Sequence, residues 1–161
     1  MSPRPIYPTC ISQILRLLVL LCSLPESRPR QCYPLHFSGD RQQLTLDDFI
    51  ARLGTNDPPA FEETLAIIAS NYDFTPTGFT NGIGDDRLYN APDENQGSCK
   101  LFAFGMLNGL DEKQLLACFG EHYRKVLADP GGADHANIRM FMRHGWRGIR
   151  LEGEPLRMRS R

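Results

Sequence analysis

The sequence predicts a mainly α fold: a compact bundle of about five short helices with a long central loop and at most a minor β-hairpin. Three observations predict it. Apolar residues recur at helical spacing in the segments following Leu44 and Asn108. A run from Leu101 to Leu107 is apolar nearly all round. Between them, Tyr72 to Ser98 breaks into Pro76, Gly78, Gly82, Gly84, Pro92 and Gly97 among polar residues.

Leu46, Phe49, Ile50 and Leu53 fall on one helical face, with Thr45 placed as the cap and Asp47 and Asp48 favourable to the positive helix end. Gly54-Thr55-Asn56 stops this helix and Asp57-Pro58 opens the next, whose stripe is Phe61, Thr64, Leu65 and Ile68. In the central segment only Thr77 to Thr80 and Arg87 to Asn90 suit short extended pieces. A loop of this length inside a compact domain is a natural binding surface, which makes Tyr72, Phe74, Thr75, Phe79, Asn81 and Asn95 its candidate contact residues.

Ser98 is placed to cap the apolar helix, which ends at Asn108-Gly109 and reads as the central buried element. Asp111 caps a fourth helix carrying Leu115, Cys118, Phe119, His122 and Val126, closed by Asp129-Pro130-Gly131-Gly132. Asp134 caps a fifth with Ile138, Phe141 and Met142, followed by Gly145-Trp146 and a short strand at Gly148 to Leu151.

The chain has 161 residues, 41% of them apolar, enough for one domain that buries a core without disulfides or a structural metal. Domain organisation reads as an N-terminal extension over residues 1–43, a helical domain over 44–157 and a basic tail over 158–161. The extension holds the run Ile14 to Leu24, flanked by proline and arginine. That run is shorter than the roughly 20 residues a membrane helix needs and matches a signal-peptide apolar region in length. Three readings of the extension stand open: a start assigned too far upstream, a targeting segment, and a structured N-terminal element.

The net charge of -1 is unevenly spread: residues 44–99 carry two basic and ten acidic side chains, residues 100–161 eleven basic and seven acidic. No strongly basic domain points to nucleic acid and no apolar run points to membrane insertion, so the expected partner is a protein. Only Cys99 and Cys118 fall in the region read as folded, which suits a reducing compartment.

The chemistry-bearing residues gather around Cys99. With Ser98 as cap, Cys99 sits in the first helical turn, where the helix dipole and Lys100 favour a thiolate. Gln96-Gly97-Ser98-Cys99 has the look of a papain-type active-site helix, with Gln96 holding an oxyanion and His135 with Asn137, or His122, completing a Cys-His-Asn set. Against this stands the plainer reading of Cys99 as packing at a crowded helix start. Cys118 and His122 lie four apart on one face, but the apolar stripe around Cys118 favours a core thiol over a ligand pair, and no metal or other cofactor is expected. Arg139, Arg143, Arg147 and Arg150 form a basic series that faces either phosphate, an acidic partner, or the acidic segment of the same molecule.

Three motifs carry a family resemblance: Asn71-Tyr72-Asp73-Phe74-Thr75-Pro76-Thr77-Gly78-Phe79, Asn95-Gln96-Gly97-Ser98-Cys99-Lys100-Leu101-Phe102-Ala103-Phe104 and Asp134-His135-Ala136-Asn137-Ile138-Arg139. Over Leu46 to Leu156 the chain resembles the HopJ type III effector family. The resemblance implies a small soluble protein made in the bacterial cytoplasm and delivered into host cells by type III secretion. It carries over no catalytic residues. Two functions follow as expectations: a non-enzymatic interaction module, and a cysteine-dependent hydrolase or transferase using Cys99.

Overall fold

The structure, a computed structural model, describes residues 44–160, and the readings that fall on residues 1–43 lie outside it. The described residues form six α-helices and five short strands: α1 Leu46–Arg52, α2 Phe61–Asn71, β1 Tyr72–Phe74, β2 Phe79–Asn81, β3 Leu88–Asn90, α3 Gln96–Leu107, α4 Glu112–Cys118, α5 Gly120–Ala128, α6 Ala136–His144, β4 Arg150–Leu151 and β5 Leu156–Met158. Single 3-10 turns lie at Gly84–Asp86 and Gly145–Gly148.

The expected mainly α bundle with at most a minor hairpin is therefore corrected to a mixed α/β fold. The segment read as a long loop supplies three strands. β2 and β3 form an antiparallel hairpin with Phe79 opposite Asn90 and Asn81 opposite Leu88. β4 then joins the other edge of β2, with Thr80 opposite Arg150, while β1 pairs with β5 from the far end of the described chain, Tyr72 opposite Met158. Strands of two or three residues lack the length for an alternating pattern to declare itself, and long-range pairing rather than local propensity decides them.

The helix count also changes. The stripe from Leu115 to Val126 reads as one helix, but Gly120 takes φ +53 and splits it into α4 and α5. A Cβ at Gly120 would lie 2.5 Å from the Phe61 backbone nitrogen and 2.9 Å from the Pro59 carbonyl oxygen. The break lets α5 meet the start of α2, where the Glu121 carboxylate accepts the Phe61 N–H at 3.1 Å and stands in for the cap that Ala60 has no side chain to make.

Helix starts follow the sequence where a side chain caps them. Thr45 accepts from the Asp48 N–H, and Asp111 with Gln114 forms a capping box at α4. They depart from it at α3 and α6. α3 begins at Gln96 rather than after Ser98, because Asn95 takes the left-handed conformation at φ 46. α6 begins after His135 at φ 51, so Asp134 is not its cap. Asp134 instead accepts from Arg139 at 2.7 Å, a bond that holds its carboxyl below the usual range.

The core is built around α3. Phe102 is fully buried and makes ring contacts with Phe79, Phe119 and Phe141 at 5.5 to 5.9 Å between centroids; Phe104 meets Phe49 and Tyr72. Gly105 brings α3 against Trp146, whose indole Cη2 would sit 2.6 Å from a Cβ there, and the Trp146 N–H donates to the Leu110 carbonyl. Met142, expected on the buried stripe of α6, is instead exposed beside buried Ile138 and Phe141.

Candidate functional site

The N-terminal ends of α2, α3, α5 and α6 converge on one open cleft of about 520 Å³. Its apolar wall includes Phe61, Leu65, Leu88 and Phe119, and its polar wall includes Asn95, Ser98, His122, His135 and Asn137. His122 comes from the first turn of α5 and His135 from the left-handed turn before α6. Their rings lie 5.0 Å apart between centroids, and Phe61 packs edge-on against His122 at 4.7 Å.

Each histidine has a carboxylate nearby: Glu121 at 4.0 Å from His122 Nε2 and Asp134 at 3.6 Å from His135 Nε2. Both carboxyls are held below the usual range, Glu121 by the Phe61 N–H and Asp134 by Arg139, so both are anions at neutral pH. His122 Nδ1 is buried and has no hydrogen-bond partner among the described residues. Closed off from solvent, that nitrogen is not itself presented to the cleft, which the His122 ring borders with its other atoms.

Behind the cleft lies a buried amide network that ties the central hairpin to α6. Asn81 donates to the Asn137 carbonyl at 2.7 Å, Asn137 donates to Asn90 Oδ1 at 2.8 Å, and Asn95 donates to the same Asn90 oxygen at 2.7 Å. Asn81 and Asn90 are fully buried, and Asn81 Oδ1 is without a partner among the described residues. The network fixes the left-handed Asn95 and hence the direction in which α3 leaves the cleft. Sequence reasoning found Asn81, Asn95 and Asn137 but missed Asn90 and the apolar wall. Asparagine is depleted in strands, so Asn90 at the end of an extended piece was the readable signal.

The structure separates the papain-like set. His122, His135 and Asn137 border the cleft, but Cys99 does not. Cys99 is 1% exposed, with its thiol directed to the Thr77 carbonyl at 3.4 Å, and burial pushes it up to about 11 although Lys100 and that hydrogen bond pull the other way. Desolvation thus outweighs the local cation, and at neutral pH the thiol stays protonated. Gln96 reaches only the Pro92 carbonyl, and Asn137 is committed to the amide network. Cys118 is fully buried with its thiol pushed up to about 12 by burial, in the packing role that its apolar stripe predicts. Among the described residues there is no group of three histidine, cysteine or acidic side chains placed to hold a metal.

The expected contact residues divide in the same way. Tyr72, Phe79 and Asn81 are buried, Tyr72 with its hydroxyl bonded to Asn108, so these three belong to the interior rather than to a contact surface. Phe74 is half-buried beneath the Lys100 ammonium at 4.6 Å, Thr75 is exposed with its N–H donating to the Pro155 carbonyl, and Asn95 borders the cleft.

A small α/β domain with six helices, a two-stranded and a three-stranded sheet, and a histidine-walled cleft is the class these features define. The chain belongs to the HopJ type III effector protein family, which matches it over residues 46–156. Its fold is similar to that in the crystal structure of VPA0580, a protein of unknown function. The two chains are 46% identical with a TM-score of 0.68, and the match covers 75% of this chain and 99% of the other. No curated protein matches the sequence significantly.

Proposed function

We propose that this HopJ-family domain is a non-enzymatic interaction module that seats a segment of a protein partner in the cleft walled by His122 and His135. The observation that carries the reading is the composition of that cleft. An apolar wall of Phe61, Leu65, Leu88 and Phe119 faces a polar wall in which Asn95 and Asn137 are held by the buried asparagine network and the His122 and His135 rings stand 5.0 Å apart. A preorganised surface of this kind binds without the entropy cost of ordering its own walls. The buried, protonated Cys99 weighs against the cysteine-dependent alternative. Type III delivery to a host cell, and hence a host protein as the partner, rests on family membership.

The test places a photo-crosslinking residue at Leu65 in the cleft and, in a second variant, at exposed Leu107 at the far end of α3. The expected result is one host protein crosslinked from position 65 and not from 107. The purified partner should then bind the unmodified chain and lose at least about tenfold in affinity with Ala136→Arg, a change at an exposed position on the cleft rim. Equal crosslinking from both positions, or undiminished affinity for Ala136→Arg, overturns the reading.

A further inference from the structure

The basic series at the C-terminal end of the domain has its own cleft. Arg139 is paired with Asp134 at 2.7 Å, and Arg143 and His144 share Asp86 at 3.9 and 3.3 Å. Arg147 and Arg150 have no carboxylate partner among the described residues, and neither does Arg87 from the start of the β3 segment. Arg87 from the central hairpin meets Arg147 and Arg150 from the segment after α6 to border one polar cleft of about 530 Å³, with Thr80, Gly82 and Gly148. Asp85 and Asp86 on the neighbouring 3-10 turn are not among its lining residues.

The backbone builds a tight floor for that cleft. The Gly82 N–H donates to the Gly148 carbonyl at 3.1 Å, and a Cβ at Gly148 would lie 3.0 Å from the Gly82 nitrogen, so this close approach of the two segments needs glycine at 148. Thr80 stands directly opposite Arg150 in the β2–β4 pairing, which places the two side chains on one face of the sheet. Arg150 Nη1 donates to the Arg147 and Ile149 carbonyls at 3.3 and 2.8 Å, fixing the guanidinium while its other N–H groups remain available.

We propose that this second cleft binds the phosphate group of a small phosphorylated molecule through Arg87, Arg147 and Arg150. Three cations that line one cleft and have no carboxylate partner among the described residues suit a dianion better than a carboxylate, and the forked donors of arginine match phosphate oxygens two at a time. The volume falls in the range of small-molecule sites, larger than a phosphate alone, and leaves room for the carbon skeleton that bears it. The site is independent of the histidine-walled cleft and of whatever binds there.

The probes are inorganic pyrophosphate and ribose 5-phosphate, with ribose and glutamate as controls, each titrated into isotope-labelled protein while the arginine Nε–H signals are followed by NMR. Saturable shifts of the Arg147 and Arg150 signals with both phosphates, weakened by added salt and absent with ribose, are expected. Arg147→Ala and Arg150→Lys should each lower the affinity at least about tenfold, the second because lysine keeps the charge and loses the fork. Ala136→Arg should leave these shifts unchanged, which separates this site from the partner cleft. An equal response to glutamate at matched ionic strength, binding untouched by Arg147→Ala in a variant with an unchanged thermal midpoint, or tighter binding of a phosphoserine peptide than of ribose 5-phosphate overturns the proposal.

Discussion

His122 and His135 lie 5.0 Å apart between ring centroids, thirteen positions apart in sequence, one in the first turn of α5 and the other in the turn that precedes α6. The two backbone breaks beside them produce this meeting. Gly120 turns the chain at φ +53 just before His122, and His135 itself sits at φ 51. Both lie in a conformation that costs an L-residue on the order of 1 kcal/mol or more, lower for glycine, so the histidine carries a local cost that the surrounding packing must offset. Such a residue concentrates where position matters more than local stability, and here the position is the wall of the cleft.

The thiol of Cys99 gives the sharpest separation between site and scaffold. Iodoacetamide should leave Cys99 essentially unmodified in the native protein at pH 8 and label it fully after denaturation, read by mass spectrometry of the peptide that contains it. A raised thiol pKa in the fold means that the protonated form is favoured there. The stabilisation is fully present below the unfolded value, near 8.5, and is lost as pH rises toward about 11 for Cys99 and about 12 for Cys118. Denaturant midpoints should therefore fall between pH 9 and pH 11, and less steeply in Cys99→Ala measured against its own neutral-pH value. Rapid native labelling at pH 7 would make Cys99 a reactive group after all.

Helices that carry a full apolar stripe and a capping side chain were legible in the sequence: Thr45 and Asp111 mark their helix starts, and the burial of Phe49, Leu53, Leu115 and Val126 follows from spacing. The strands were legible in part: the extended pieces at Thr77 to Thr80 and Arg87 to Asn90 and the strand at Gly148 to Leu151 overlap β2, β3 and β4, whereas β1 and β5, three residues each, owe their existence to each other, as Tyr72 owes its place to Met158. Candidate site residues were legible as types and not as neighbours. His122, His135, Asn95 and Asn137 do come together, yet Cys99 turns away: α3 starts at Gln96 rather than after Ser98, and the thiol packs into the core against the Thr77 carbonyl.

The split between α4 and α5 can be tested by comparing two glycines with similar backbone angles. Gly109 at φ +63 has open space where a Cβ would project, whereas Gly120 at φ +53 has the Phe61 and Pro59 backbone there. Gly109→Ala should cost only the left-handed conformation, about 1 kcal/mol, and Gly120→Ala at least about 2 kcal/mol more, since backbone cannot rotate away as a side chain can. Urea unfolding of the two variants reads the difference directly, and equal losses would place the break elsewhere.

The asparagine network makes a different demand, because it links fold and cleft through one side chain. Asn137 accepts from Asn81 and Asn90 and donates to Asn90, all within the buried interior. Asn137→Ala removes a side-chain donor and acceptor while the Asn137 carbonyl, and with it the 2.7 Å bond from Asn81, remains. The loss left behind is that of Asn90, whose oxygen keeps only Asn95, so the expected cost is about 1 to 3 kcal/mol. Asn137→Asp keeps the shape and the acceptor but exchanges the donated proton for a charge facing Asn90 Oδ1, and its cost at pH 7 should exceed that of alanine. That excess should shrink as pH falls and the carboxyl is protonated, because the neutral acid can again donate to Asn90. Stability curves of the two variants from pH 7 to pH 4 provide the measurement, and an excess that does not change with pH would show that the Asn137 side chain is not a donor in this network.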